Sequence, residues 1–122
     1  MREIALDIFV AALVLAADKM SHHVGVRSAG GIARRKDRLD ELVAELPGNA
    51  TVYPTDLTDP QQVAEAARQI KNQYGEVDVL VNCAGARPDR VLTSMKYEDV
   101  INLWDEQVRL NLSSAAYASF AF

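Results

Sequence analysis

Three clusters in this sequence hold side chains whose types and spacing suit chemistry. Arg34-Arg35-Lys36-Asp37-Arg38 is a basic cluster that runs straight into an apolar-periodic stretch. Cations at the start of a helix oppose its dipole, so this cluster leans toward an anionic partner rather than a merely solvated helix start. Asp56-Leu57 places a carboxylate just behind a β-prone run, although the same acid could serve the loop that precedes Asp59. Asn82-Cys83-Ala84-Gly85 closes a third apolar run, residues 77–81, with small side chains. Ligands of open α/β sheets sit at the carboxyl ends of strands, and here a ligand can approach the backbone. Cys83 has the atom of a nucleophile, yet nothing near it in sequence would lower its pKa, so it reads as inert. His22 and His23 are adjacent and lack cysteine company, so no metal site is expected.

The elements that must position these clusters follow from periodicity and caps. Residues 2–17 are rich in helix formers and predict a helix, apolar nearly all round. A polar break covers residues 18–23, residues 22–26 suit a short strand, and Ser28-Ala29-Gly30-Gly31 reads as a turn. Leu39, Leu42, Val43 and Leu46 lie on one helical face, and Pro47-Gly48 stops that helix. Residues 50–53 read as a strand with its exit at residues 54–56. Asp59 is an N-cap with Pro60 at the first helical position. The helix that follows carries Val63, Ala66, Ala67, Ile70 and Tyr74 on one stripe and ends at Gly75. The run at residues 77–81 predicts a buried strand. Residues 87–97 form a loop with Pro88, and residues 99–122 are mostly helical, anchored by Trp104, Val108, Leu110 and Leu112. This alternation implies parallel strands joined by right-handed crossovers.

Bulk properties set limits. The 122 residues suffice for one domain, with 49% apolar and 25% charged residues. A net charge of −4 gives no electrostatic footprint for nucleic acid. The single cysteine excludes an intramolecular disulfide, and a reducing, cytoplasmic setting fits. Residues 8–17 are ten consecutive apolar residues, too few to span a bilayer. Arg2 is offset by Glu3 and Asp7, which argues against a signal peptide.

Taken together, the basic cluster from residue 33 to 39, Asp56-Leu57-Thr58-Asp59, Asn82-Cys83-Ala84-Gly85 and Asn111 resemble the cofactor-binding half of the short-chain dehydrogenase/reductase family. The resemblance covers about residues 33–122 and leaves residues 1–32 as an atypical N-terminal segment of one partial domain. It implies an NAD(P)-dependent oxidoreductase acting on a small carbonyl or alcohol. Arg34 and Arg35 stand where the family meets the adenosine ribose. A planar guanidinium there matches a 2′-phosphate, so NADP is implied over NAD. Asp56 and Leu57 would lie against adenine. Asn82 would tie neighbouring strands through its amide, while Ala84 and Gly85 leave room for the cofactor. Asn111 would hold a water that relays protons to the catalytic lysine. The last helix would offer Ala115, Ala116, Tyr117, Phe120 and Phe122 to a subunit interface.

Two family features are missing. The tyrosines Tyr53, Tyr74, Tyr97 and Tyr117 are followed four residues on by Leu57, Asp78, Ile101 and Ala121, so there is no Tyr-x-x-x-Lys pair. The six glycines do not give the Gly-x-x-x-Gly-x-Gly loop. In one alignment, residues 2–6 resemble the helix just after that loop and an insertion precedes Arg34; in the other, residues 26–33 are a decayed loop. The first keeps Arg34 behind the second strand and is preferred. The expected fold is therefore α/β, an incomplete Rossmann-like doubly wound parallel sheet with flanking helices. The expected chain is truncated and inactive alone. The alternative is a non-catalytic nucleotide-binding or oligomerisation module, a homo-oligomer or a partner of a full-length relative.

Overall fold

The computed structural model describes residues 13–17, 26–45, 49–87 and 92–122. Its elements are β1 (Leu13–Ala17), β2 (Val26–Ala33), α1 (Lys36–Glu45), β3 (Asn49–Pro54), α2 (Pro60–Tyr74), β4 (Val79–Val81), α3 (Tyr97–Val108), a π-helical turn (Arg109–Ser113) and α4 (Ser114–Ala121).

Helix α2 is the element most completely written into its own residues. The Asp59 carboxylate accepts from the backbone N–H of Gln61 at 2.9 Å and of Gln62 at 3.4 Å, with Pro60 opening the helix. These bonds satisfy donors that have no partner within the helix. Gly75, at φ 84°, stops it and donates its N–H to Lys71 O. The expected stripe is buried at Val63, Ala66, Ala67 and Ile70. Ile70 and Ala66 join Ile32 and Tyr53 in the core, against which Leu57, Tyr74, Val77, Leu80 and Phe122 pack.

The sheet has the order β3-β2-β1-β4. β2 and β3 pair in parallel from Ser28↔Asn49 to Ala33↔Pro54. Helices cover both faces of β2. A Cβ added to Gly30 would meet Ile70 and Tyr53, and one added to Gly31 would meet Leu39 at 3.3 Å. Thus α2 lies on one side and α1 on the other, the doubly wound arrangement expected. Residues 26–33 are neither a turn nor a decayed glycine loop. They form a strand whose two glycines admit close packing from opposite faces. Arg34 therefore follows a strand directly, as the preferred alignment requires; residues 2–6 of that alignment lie outside the described residues.

Other expectations are corrected. Leu13–Ala17 forms a strand, not the end of a helix, and the rest of that expected helix lies outside the described residues. An apolar run without periodicity cannot separate helix from strand, and here the strand satisfies backbone groups of both β2 and β4. β1 is also antiparallel to both neighbours, against the all-parallel expectation. β4 is not buried on both faces. Leu80 packs on the core, while alternation sends Val79 and Val81 outward, 43% and 39% exposed. Of the anchors expected near the C-terminus, Trp104 and Leu112 are 68% and 66% exposed, and Leu103 is the buried residue of α3.

Candidate functional site at the carboxyl end of the sheet

β2, β3 and β4 all end at the same pole. Their exits carry three of the sequence motifs. The ends of β2 and β3 are joined where Thr55 N–H donates to Ala33 O at 2.8 Å, which sets Arg34 and Asp56 on adjoining exits. Thr55 itself is buried, and its hydroxyl donates to Tyr53 O at 2.9 Å, so this junction is locked from within.

Asp56 is held by its own loop. Its Oδ1 accepts from Thr58 N–H at 2.9 Å and from the Thr58 hydroxyl at 2.7 Å, while its backbone N–H donates to Gln62 Oε1 at 2.9 Å. Burial alone would raise the Asp56 pKa. The Thr58 hydrogen bonds, together with the positive charge of Arg34 and Arg109, outweigh it and hold the carboxyl below its ordinary value. The charge of Arg109, in the π-helical turn, acts on this carboxylate through space, and sequence reasoning missed it. Its only local signal is a position two residues before Asn111. Arg34 and Arg35 are both exposed. Leu57 is turned partly into the core, which limits the face it can offer to a ring.

A second group forms behind β4. Asn111 Oδ1 accepts from Ala86 N–H at 2.8 Å, and its Nδ2 donates back to Ala86 O at 2.9 Å. The same Nδ2 lies within bonding reach of Gln107 O and Gln107 Oε1. The amide thus clamps the chain just after the Asn82-Cys83-Ala84-Gly85 tetrad. Gly85 is required by this clamp, because a Cβ there would stand 2.6 Å from Asn111 Oδ1. Ser114 closes the π-helical turn, its N–H donating to Arg109 O and its hydroxyl to Leu110 O. Such turns recur at functional positions. Asn82 Nδ2 donates to Ser119 Oγ of α4 at 3.0 Å, so in the described residues this amide ties strand to helix rather than strand to strand. Packing around the Cys83 sulfur pushes its thiol pKa up, which opposes a nucleophilic role.

The sequence motifs therefore gather as two groups: Arg34 and Asp56 at the ends of β2 and β3, and Asn82, Ala84, Gly85 and Asn111 around the end of β4. A family model described as short chain dehydrogenase matches residues 14–122. The chain belongs to the short-chain dehydrogenase family. The match begins well before the motifs at residue 33 and takes in β1 and β2. Among curated relatives in the family, a 3-oxoacyl-[acyl-carrier-protein] reductase of Thermotoga maritima is 41% identical over 87 residues, covering 69% of this chain and 33% of the relative. A short-chain dehydrogenase structure from Mycobacterium smegmatis superposes with a TM-score of 0.61 at 28% identity, covering 74% of this chain and 37% of that one. An alcohol dehydrogenase of Thermococcus sibiricus, solved with 5-hydroxy-NADP, superposes with a TM-score of 0.61 at 26% identity, covering 78% and 40%. The chain spans about a third of the length of the curated relatives it matches. Among the described residues, no helix is long and apolar enough to cross a membrane.

Proposed function

We propose that this chain is a nucleotide-binding module of the short-chain dehydrogenase type with a preference for NADP over NAD. The observation that carries this reading is the joining of the β2 and β3 exits, which sets Arg34 and Asp56 side by side. A guanidinium suits the dianionic 2′-phosphate, and a carboxylate on the adjoining exit suits an exocyclic amine or a ribose hydroxyl. The solved NADP-type complex among its structural neighbours supports the same choice. When bound, such a cofactor supplies a hydride for carbonyl reduction or accepts one from an alcohol. This chain's own residues bind and orient. Arg34, and Arg35 beside it, meet phosphate; Asp56 and Leu57 border adenine; Ala84 leaves the backbone open; Gly85 makes room for Asn111, which fixes the loop at Ala86.

General acid catalysis in this family type needs a tyrosine with a lysine four residues on, and no tyrosine here has one. The expected outcome for the isolated chain is binding without turnover, and Asn111 then acts as a positioning residue rather than as part of a relay. Calorimetric titration with NADPH and NADH tests cofactor choice. A preference for NADH sinks the roles given to Arg34 and Arg35. A steady NADPH-dependent loss of absorbance with simple ketones would overturn the inactivity.

A second reading is favoured by one surface. Tyr97, Ile101, Trp104, Val108 and Leu112 are all exposed and recur along one side of α3 and the turn after it. Phe120 of α4 is 92% exposed. Aromatic and aliphatic side chains lined up in this way mark an association surface, and a second copy or a full-length relative is the proposed occupant. Phe122 does not contribute, since it packs on the core.

A further inference from the structure

Gln62 does not do what its place in the helix predicts. Asp59 caps α2 and Gln62 stands three residues later, the spacing at which a glutamine side chain turns back to the N–H of the capping residue. Here that N–H is already taken, since Asp59 N–H donates to Asp56 O at 3.1 Å. The Gln62 side chain reaches past the cap instead, and its Oε1 accepts from Asp56 N–H at 2.9 Å. Its Nε2 donates to Asp59 Oδ2 at 3.0 Å. One amide therefore bridges the residue that would meet adenine and the residue that starts the helix, with its acceptor on the first and its donor on the second. Glutamine is the residue this bridge requires. A glutamate could accept from Asp56 N–H but could not donate to Asp59, and it would add a carboxylate beside the two already there.

Asp56 is consequently held at both polar groups of its main chain and at one carboxylate oxygen. Its N–H goes to Gln62, its C=O receives Asp59 N–H, and its Oδ1 takes both Thr58 bonds. The second carboxylate oxygen is then the one that can meet an outside donor. Of these ties, only the Gln62 bond comes from outside residues 56–59, so it alone anchors the turn to the helix that follows. An acceptor fixed before its ligand arrives has little freedom left to lose on binding. A small displacement weakens a directional hydrogen bond far more than an attraction between charges. We propose that Gln62 is a positioning residue for base recognition, its side-chain amide holding the Asp56 turn in the orientation in which the carboxylate accepts from the exocyclic amine of adenine. The proposal rests on the nucleotide-binding reading above and names what makes that site selective for its base.

Isothermal titration of the 122-residue chain with NADPH and with its hypoxanthine analogue, which carries a carbonyl where adenine carries the amine, tests it. The unaltered chain is expected to prefer NADPH by about tenfold, as one charge-assisted hydrogen bond supplies. Gln62→Ala is expected to bring the two ligands within about threefold of each other, by weakening NADPH and leaving the analogue unchanged, because the phosphate contact of Arg34 comes from another exit. Gln62→Met keeps the length of the side chain without its amide and is expected to do the same. Gln61→Ala, on the same helical turn, is expected to keep the full preference. Gln62 variants that weaken both ligands equally, or neither, overturn the proposal and leave the nucleotide-binding reading intact. So does loss of folding in both variants, since Gln62 is exposed and such a loss would mark a merely structural residue. An unaltered chain that binds the two ligands equally overturns the proposal together with the base contact of Asp56. Heat from neither ligand overturns the proposal and the nucleotide-binding reading alike.

Discussion

Gly85 and Asn111 form a pair that neither residue explains alone. The glycine reads as a strand terminator and the asparagine as an indifferent helical residue, yet one leaves the space that the other's amide fills. Gly85→Ala is expected to push Asn111 off Ala86 and to cost about 1–3 kcal/mol in urea unfolding, the usual range for an amide left without its bonds. Asn111→Ala removes the same clamp from the other side. The double variant should cost clearly less than the sum, since only one interaction is there to lose. Additive costs in that cycle would refute the pairing. Asp56 gives a prediction in pH. Its folded pKa lies below its ordinary value, so its bonds to Thr58 and its attraction to Arg34 and Arg109 stabilise the fold above the unfolded pKa. That contribution is lost as pH falls below the ordinary carboxylate range and through the folded value. Acid unfolding of Asp56→Asn should therefore show a shallower decline in this window than the parent chain.

At the scale of elements, α2 and β1 stand at opposite limits. Asp59, Pro60 and Gly75 are local signals, and each acts on backbone groups within a turn of itself, so α2 was legible residue by residue. Asp59→Ala should cost about 1 kcal/mol, read as a lower Tm, because the N–H groups of Gln61 and Gln62 lose their acceptor. β1 was not legible. Its residues sit in an apolar run without period, and the hydrogen bonds that make it a strand come from β2 and β4. β2 was misread for a related reason. Gly30-Gly31 resembles a turn in sequence, and only the helices on either side reveal why those side chains are absent. The two positions differ in room. At Gly30 an added methyl meets Ile70 at an ordinary 3.5 Å, whereas at Gly31 it meets Leu39 at 3.3 Å. Gly30→Ala should be neutral or stabilising by about 0.5 kcal/mol, as expected where a strand glycine gains a side chain. Gly31→Ala should be the costlier of the two, and the reverse order in thermal unfolding would contradict the packing assigned to β2.

At the scale of the whole molecule, the exposed stripe on α3 is an unmet demand among the described residues. Trp104 is the sole tryptophan and stands in the middle of it. Self-association through this face predicts a blue shift of tryptophan emission as concentration rises, abolished in Trp104→Glu together with any dimer seen by light scattering. An emission maximum that does not move with concentration, in a chain that stays monomeric, would remove the association reading.

Sequence by itself determined the family, the cap-to-cap extent of α2 and the tetrad at the end of β4. These are local patterns, carried by short-range backbone preferences and by residue types at fixed spacing. Tertiary structure alone decided that residues 13–17 run antiparallel through the middle of the sheet, that Arg34 and Asp56 stand on adjoining exits, and that Trp104 faces outward while Leu103 faces in. Each of these depends on groups far apart in the chain. Strand direction is fixed by which neighbours offer unpaired N–H and C=O groups, and a charge cluster by which exits the sheet brings together, and neither is written in any one stretch of residues.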